Sequence, residues 1–323
     1  MYKTWFVTGA AGFIGSNLCE HLLHLGRCVY ALDNYSTGKR ENIDRVNRVS
    51  NGELNFIEGD ILDYELVKGL CLKSDVVVHL AAQGSVQKSF VDIKNNNLQN
   101  IDGFTNLLVA SGESNVYKFI YASSCAVYGN TDKSSISEKY CPSPLSPYAS
   151  SKLLNDFLGM NLSSRYSSMD ITGLRFFNIF GPFQDPNGDY AAVIPKWIDA
   201  CINGSTLNIF GDGSATRDFC YVGNICDTIL DIVSLDSGLS SGVYNIGSGK
   251  STSLNELHNL IVKLLSKHNV RVSLEKPKYL PWRDGDIVHS LSNVDLAKNT
   301  LNFSPKVNLS DGIDNILSIQ YYL

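Results

Sequence analysis

Two side chains one helical turn apart carry the strongest chemical signal in this chain of 323 residues. Tyr148-Ala149-Ser150-Ser151-Lys152 sets a phenol and an ammonium four positions apart, hence on one face of a helix. A phenol, with an ordinary pKa of about 10, is a poor base at neutral pH. A cation beside it favours the phenolate, and the pair can then take a proton from a hydroxyl and return it. The same spacing also suits a tyrosine lying over a lysine on a solvated helix. What favours chemistry is the company the pair keeps. Ser123-Ser124 follows the apolar run Lys118-Phe119-Ile120-Tyr121, and Thr8-Gly9-Ala10-Ala11-Gly12-Phe13-Ile14-Gly15 follows the apolar run Trp5-Phe6-Val7.

The elements that position these groups are legible in turn. The glycine run reads as a strand, a turn and a helix from Ser16 to Leu25: Gly9 for the sharp turn, Gly12 for close approach of a pyrophosphate, Gly15 for packing of helix on strand. A second strand, Cys28 to Leu32, ends in Asp33, about twenty residues on, where a dinucleotide fold places the carboxylate that accepts the adenosine ribose hydroxyls and repels a 2′-phosphate. The cofactor indicated is NAD rather than NADP. Further strands are expected at Leu54-Ile57, Asp75-Ala81, Lys118-Tyr121 and Thr172-Phe176, with helical stretches between, including one reaching Ala110. That alternation specifies an α/β fold, a Rossmann-type doubly wound parallel sheet whose ligands lie beyond the carboxyl ends of the strands. By that rule Ala81-Ala82-Gln83-Gly84-Ser85 and Ser123-Ser124-Cys125 border the cofactor, and Asn34 to Arg40 closes over its adenosine end or is a plain surface loop. Asn97 or Asn100 is expected on the ribose side. His79, inside an apolar strand, reads as a satisfied core histidine.

Three prolines between Pro142 and Pro147 break regular structure and let a helix begin at Tyr148. After Phe176 the composition shifts toward loops rich in glycine, asparagine and aspartate. A helix from Ala191 to Ile202, a strand and turn at Leu207 to Gly213, and a capping box of Ser253 with Glu256 opening a helix to Lys267 indicate a smaller α/β lobe. The division expected is 1–177 for the dinucleotide domain, with return segments near 214–245, and 178–323 for the substrate lobe. Arg217 and Arg283 suit a diphosphate, because guanidinium forks pair bidentately with such oxygens. Either also suits a structural ion pair.

With 44% hydrophobic and 18% charged residues and a net charge of -5, the chain has the composition of a soluble globular protein and no basic stripe. No nucleic acid or membrane partner is expected. Met1-Tyr2-Lys3 runs straight into the first strand, and no apolar run is of spanning length, so a cytoplasmic location is expected. Eight scattered cysteines lack metal-ligand spacing and read as buried small hydrophobes; no metal is expected.

Thr8 to Gly15, Ser123-Ser124, Val127-Tyr128-Gly129 and Tyr148 to Lys152 together resemble the extended short-chain dehydrogenase/reductases that act on nucleotide sugars. Leu145 to Tyr148, Gln184 to Gly188, Ala191 to Trp197, Gly211 to Gly213, Arg217 to Tyr221 and Gly285 to Leu291 are similar to the UDP-N-acetylglucosamine 4-epimerases of that family. The resemblance implies that Tyr148 is the catalytic base, Lys152 its electrostatic partner and ribose ligand, and Ser124 the hydroxyl on the sugar 4-oxygen. It places Gly9, Gly12, Phe13, Ile14, Gly15, Asp33, Asn34, Asp60, Ile61, Ala81, Gln83 and Asn100 at NAD. Ser85, Asn178, Val193, Phe210, Arg217, Arg283 and Ser290 are placed at the UDP-sugar. Ser290 stands where relatives restricted to non-acetylated sugars have a bulky tyrosine. The implied reaction oxidises C4, turns the 4-keto sugar over and reduces its other face. Cys125-Ala126 lacks the carboxylates a 4,6-dehydratase needs. A UDP-glucuronate 4-epimerase or decarboxylase, and a non-catalytic NAD-binding regulator, stay open. The resemblance also implies a homodimer through the helices near 95–110 and 148–166.

Overall fold

The structure, a computed structural model, describes residues 2–114, 116–131, 135–187, 192–270, 277–282 and 289–321. Its strands are Thr4–Thr8 (β1), Cys28–Asp33 (β2), Glu53–Glu58 (β3), Val76–His79 (β4), Lys118–Ser124 (β5), Asp170–Phe176 (β6), Asn178–Phe180 (β7), Asn208–Phe210 (β8), Thr216–Arg217 (β9), Phe219–Tyr221 (β10), Gly242–Ile246 (β11), Thr252–Ser253 (β12) and Lys278–Leu280 (β13). Its helices are Phe13–His24 (α1), Arg40–Val46 (α2), Tyr64–Cys71 (α3), Val86–Val91 (α4), Ile93–Asn97 (α5), Gly103–Gly112 (α6), Pro147–Leu162 (α7), Val193–Asn203 (α8), Val222–Ser234 (α9), Leu254–Lys267 (α10), Asp295–Leu301 (α11) and Leu309–Gln320 (α12).

A seven-stranded sheet in the order β11-β6-β5-β4-β1-β2-β3 is the frame, and all its pairings are parallel. Side chains alternate between its faces, so both faces must be apolar where helices cover both. In β1, Trp5 and Val7 pack on one side with Leu18 and Leu22 of α1, while Phe6 packs on the other with Phe104 and Phe119. The strand order reverses between β1 and β4, and β1 leads into the glycine turn at that point. A separate apolar cluster joins Phe180, Trp197, Leu257, Ile261 and Ile313, from β7, α8, α10 and α12.

The expected doubly wound fold is present, with differences at its edges. β5 runs on to Ser124 rather than stopping at Tyr121, because Ala122, Ser123 and Ser124 continue the ladder with Leu174, Arg175 and Phe176. The helix expected to reach Ala110 is interrupted by a π turn at Leu98–Asp102. α7 starts at Pro147, capped by the Ser146 hydroxyl, which accepts from Ala149 N at 3.1 Å. Ser253 and Glu256 form the expected capping box of α10. All eight cysteines are free thiols; five are buried as expected, Cys28 and Cys125 are partly exposed, and Cys141 is exposed, contrary to the expectation. It lies in the proline-broken loop, outside any packed element.

Candidate active site

The first turn obeys its steric logic. Gly9 has φ +69°, and a Cβ there would meet Ala81 N at 2.7 Å; one on Gly15 would sit 2.1 Å from the Gly9 carbonyl oxygen. Only glycine fits at either position, and the turn they form leads directly into the N-terminus of α1, as a pyrophosphate-binding turn does. Asp33 is buried at the end of β2, where Oδ2 accepts from Ala11 N at 2.9 Å and Oδ1 from Tyr35 N at 2.8 Å. Burial pushes its carboxyl up, and those two amides pull it back down.

Two clefts open beside this turn. One, of about 220 Å³, is lined by Gly9, Gly12, Asp33, Asn34, Ile61, Ala81 and Gln83 among others. The next, of about 770 Å³, is lined by Phe13, Ile14, Gly15, Gln83, Ser85 and Ala122 among others. Gln83 lines both, and its buried Nε2 has no hydrogen-bond partner, as suits a group that donates to a ligand. Asp60 does not line either cleft; it accepts from Nδ2 of Asn34, which lines the smaller one, at 2.8 Å. These residues fit a dinucleotide laid across the switch point of the sheet.

Asn100, expected at the cofactor, lies behind the cleft wall and is buried. Its Oδ1 accepts from Gln83 N at 2.8 Å, and its Nδ2 donates to the Gln83 carbonyl at 3.1 Å and to Ser151 Oγ at 3.2 Å. Ser151 Oγ in turn donates to the Tyr148 carbonyl at 2.7 Å. Asn100 thus ties the cleft wall to α7 instead of reaching into the cleft.

The Ser124 hydroxyl lies close enough to the Tyr148 phenol to act on its ionisation, and Ser124 Oγ accepts from Ala126 N at 3.1 Å, which fixes its rotamer. Lys152 is 2% exposed, and its Nζ donates to the Ala122 carbonyl at 2.8 Å. Burial pushes the Tyr148 phenol up to about 12, against the lowering influence of the Ser124 hydroxyl. Burial also lowers Lys152 to about 8, while the Asp156 carboxylate one turn further along α7 opposes the fall. The phenol is therefore held higher than the sequence led one to expect: desolvation dominates its shift, and the Lys152 ammonium is committed to the Ala122 carbonyl. His79 is the satisfied core group expected, buried with Nδ1 2.8 Å from Thr8 Oγ1.

A third cavity, of about 460 Å³, lies against the second apolar cluster. Asn178, Val193, Phe210 and Arg217 all line it, although they come from β7, α8, β8 and β9. Ser290 is not among the residues lining this cavity; it is buried, and its N donates to the carbonyl of Thr216, the residue before Arg217, at 3.1 Å. Arg283 lies outside the described residues. Sequence reasoning missed Gln87, which lines both this cavity and the larger cofactor cleft, and Trp282. An isolated amide early in a short helix carries no motif that would have marked it.

Residues 5–247 match the NAD dependent epimerase/dehydratase family. The chain is 34% identical over 311 residues to the UDP-glucose 4-epimerase of Mycolicibacterium smegmatis, which spans 95% of each chain. It resembles the solved UDP-N-acetylglucosamine 4-epimerase from Methanobrevibacter ruminantium, in complex with UDP-N-acetylmuramic acid, at 35% identity and a TM-score of 0.86 over 98% of both chains. A point mutant of the UDP-glucuronic acid 4-epimerase from Bacillus cereus, solved with NAD and a fluorinated UDP-glucuronic acid, gives 30% identity and a TM-score of 0.85 over 97% of both. The chain belongs to the NAD dependent epimerase/dehydratase family, and its cofactor is NAD.

Proposed function

We propose that this protein is a UDP-sugar 4-epimerase and that its substrate pair is UDP-N-acetylglucosamine and UDP-N-acetylgalactosamine. The observation that carries the reading is the grouping of Tyr148 with Ser124, and of Lys152 with Ala122 in the wall of the larger cofactor cleft, together with a third cavity that gathers Asn178, Val193, Phe210 and Arg217. Similarity to UDP-sugar 4-epimerases over nearly the whole chain supports it. The small, buried Ser290 supports the acetamido sugar, because a serine leaves room that a larger side chain would fill.

In this reading NAD supplies a reversible acceptor for the C4 hydrogen and its electron pair, held by the glycine turn, Asp33 and Gln83. Tyr148 takes the proton of the 4-hydroxyl and later returns it to the 4-oxygen. Its raised pKa makes the resting group a phenol, so positive charge beside it is needed to draw out the proton; Lys152 and a nicotinium ring are both cations. Ser124 donates to the 4-oxygen as it becomes a carbonyl. Arg217 anchors the diphosphate while the sugar turns. The dinucleotide domain is 1–177 with returns near 214–245, the substrate lobe is 178–323, and the enzyme works in the cytoplasm. A second copy covers the apolar face where Phe90, Val91, Ile93, Leu154, Phe157 and Met160 are exposed on α4, α5 and α7.

Purified protein without added cofactor, given UDP-N-acetylglucosamine, UDP-glucose or UDP-glucuronate, is followed by proton NMR at C4. Appearance of the N-acetylgalactosamine form is the expected result. Conversion of the glucuronate alone moves the assignment to the acid sugar, and no conversion of any of the three refutes the epimerase reading.

A further inference from the structure

Behind Arg217 the wall of the third cavity is gathered on one carboxylate. Asp218 is 0% exposed. Its Oδ1 accepts from the backbone N and the Oγ of Ser248, both at 2.6 Å. Its Oδ2 accepts from Gly249 N at 3.1 Å, from Ser292 N at 3.0 Å and from Ser292 Oγ. The Asp218 carbonyl oxygen accepts twice more, from Asn178 N and Asn178 Nδ2, both at 3.1 Å. These donors are neutral, and they come from stretches far apart in the chain. The corner is also tight: a Cβ on Gly247 would lie 2.4 Å from Ser292 Oγ and 2.7 Å from Asp218 Oδ2.

A buried carboxylate is an expensive way to fill a corner, since its desolvation must be offset by hydrogen bonds on every side. Its particular use is geometric: two oxygens accept from several directions at once, which an amide or a hydroxyl cannot match because each also presents a hydrogen. The stretches it joins are those that carry the groups expected at the sugar nucleotide. Arg217 precedes it, Asn178 holds its carbonyl, and Ser290 lies two residues before Ser292. A bridge between Thr216 and His289 and one between Ile136 and Ser292 fix the same segment from either side.

We propose that Asp218 is a positioning residue for the sugar nucleotide, a hub that sets the separation of Arg217, Asn178 and Ser290 and thereby the seat of the diphosphate and the sugar. This inference rests on the reading of the third cavity as the UDP-sugar site. The discriminating variant is Asp218→Asn, which keeps the shape but turns one acceptor into a donor facing an N–H or O–H. UDP affinity is measured by calorimetry, KM and kcat with the UDP-sugar, NAD content after gel filtration, and the melting temperature. Loss of one charge-assisted bond should raise both the UDP dissociation constant and KM roughly tenfold. Saturated turnover and NAD content should change by no more than about twofold, since neither the proton-transfer pair nor the first turn touches Asp218.

A fall in melting temperature with unchanged KM and UDP affinity would make Asp218 purely structural and overturn the proposal. Should Asp218→Asn fail to fold, Ser292→Ala removes one hydroxyl donor, a smaller change that should lower the melting temperature modestly and raise KM about threefold. Unchanged KM there is equally fatal. A wild-type protein that binds no UDP removes the reading of the cavity as well, which separates that failure from failure of the hub.

Discussion

Acid should destabilise this protein in part through a histidine that takes no part in the chemistry. His79 ends β4, is 2% exposed, and clusters with the rings of Phe104 and Phe119 at centroid distances of 5.8 and 6.5 Å. Burial, aided by the Lys152 charge, lowers its pKa from 6.5 to about 3. Between those values the unfolded chain binds a proton that the folded chain refuses, so stability falls as pH falls. The contribution is complete above pH 6.5 and is lost progressively toward pH 3. At about 1.4 kcal/mol per pH unit, acidification from pH 7.5 to 5.0 removes about 2 kcal/mol, and the full loss near pH 3 is about 5 kcal/mol. The assay is urea unfolding at pH 7.5 and 5.0 for the wild type and for His79→Asn. The variant is less stable at both pH values, because a ring has been removed from a packed site, but its loss between them should be smaller by about 2 kcal/mol. His21 and His258, which burial also lowers, are present in both proteins and cancel in the difference. Equal losses in the two proteins would show that the His79 ring takes its proton within the fold, and the reasoning would fail.

Four further outcomes are expected. Tyr148→Phe should lower kcat by roughly 10²–10⁴ while NAD stays bound, measured by turnover and by cofactor released on denaturation; turnover near the wild-type value would remove the tyrosine from its role. Ser290→Tyr should depress turnover of the acetamido sugar relative to the plain sugar, and an unchanged ratio would show that Ser290 is not the gate. Lys39 Nζ and Asp185 Oδ2, 2.9 Å apart, join the loop after β2 to the stretch after β7 across the cofactor cleft. As a half-exposed pair worth at most about 1 kcal/mol, its reversal in Lys39→Glu should speed NAD loss on dialysis up to about fivefold, and adding Asp185→Lys should restore retention. Phe157→Arg should give a monomer in sedimentation if α7 forms the dimer face, whereas an unchanged sedimentation coefficient would place any interface elsewhere.

What the sequence revealed and what it hid divide along one physical line. The glycine turn was legible because its constraint is local: only a residue without Cβ fits where Gly9 adopts φ +69° and where Gly15 approaches the Gly9 carbonyl. Asp33, a helix start within one residue of the observed Pro147 and the Ser253 capping box were legible for the same reason, since cause and effect lie within one turn or one βαβ unit. The end of β5 was not, because Ala122-Ser123-Ser124 has no apolar periodicity and is held in the sheet only by its ladder to β6. Nor was the π turn at Leu98–Asp102, in the middle of an apparently ordinary helix. There Asn100 is bonded to Gln83 and to Ser151, partners 17 and 51 positions away. Asp218 makes the point most sharply. In sequence it is one acidic residue in Arg217-Asp218-Phe219, indistinguishable from a solvated charge, yet its carboxylate partners stand 30, 31 and 74 positions away. The Tyr148 phenol shows the same limit in electrostatics. The helical spacing suggested a phenol lowered by a cation, but the shift is upward and is dominated by desolvation, which depends on everything packed around the group rather than on its neighbour four residues on. Residue types and short spacings therefore name the groups that act, whereas the groups that position them are recognised only when distant segments meet.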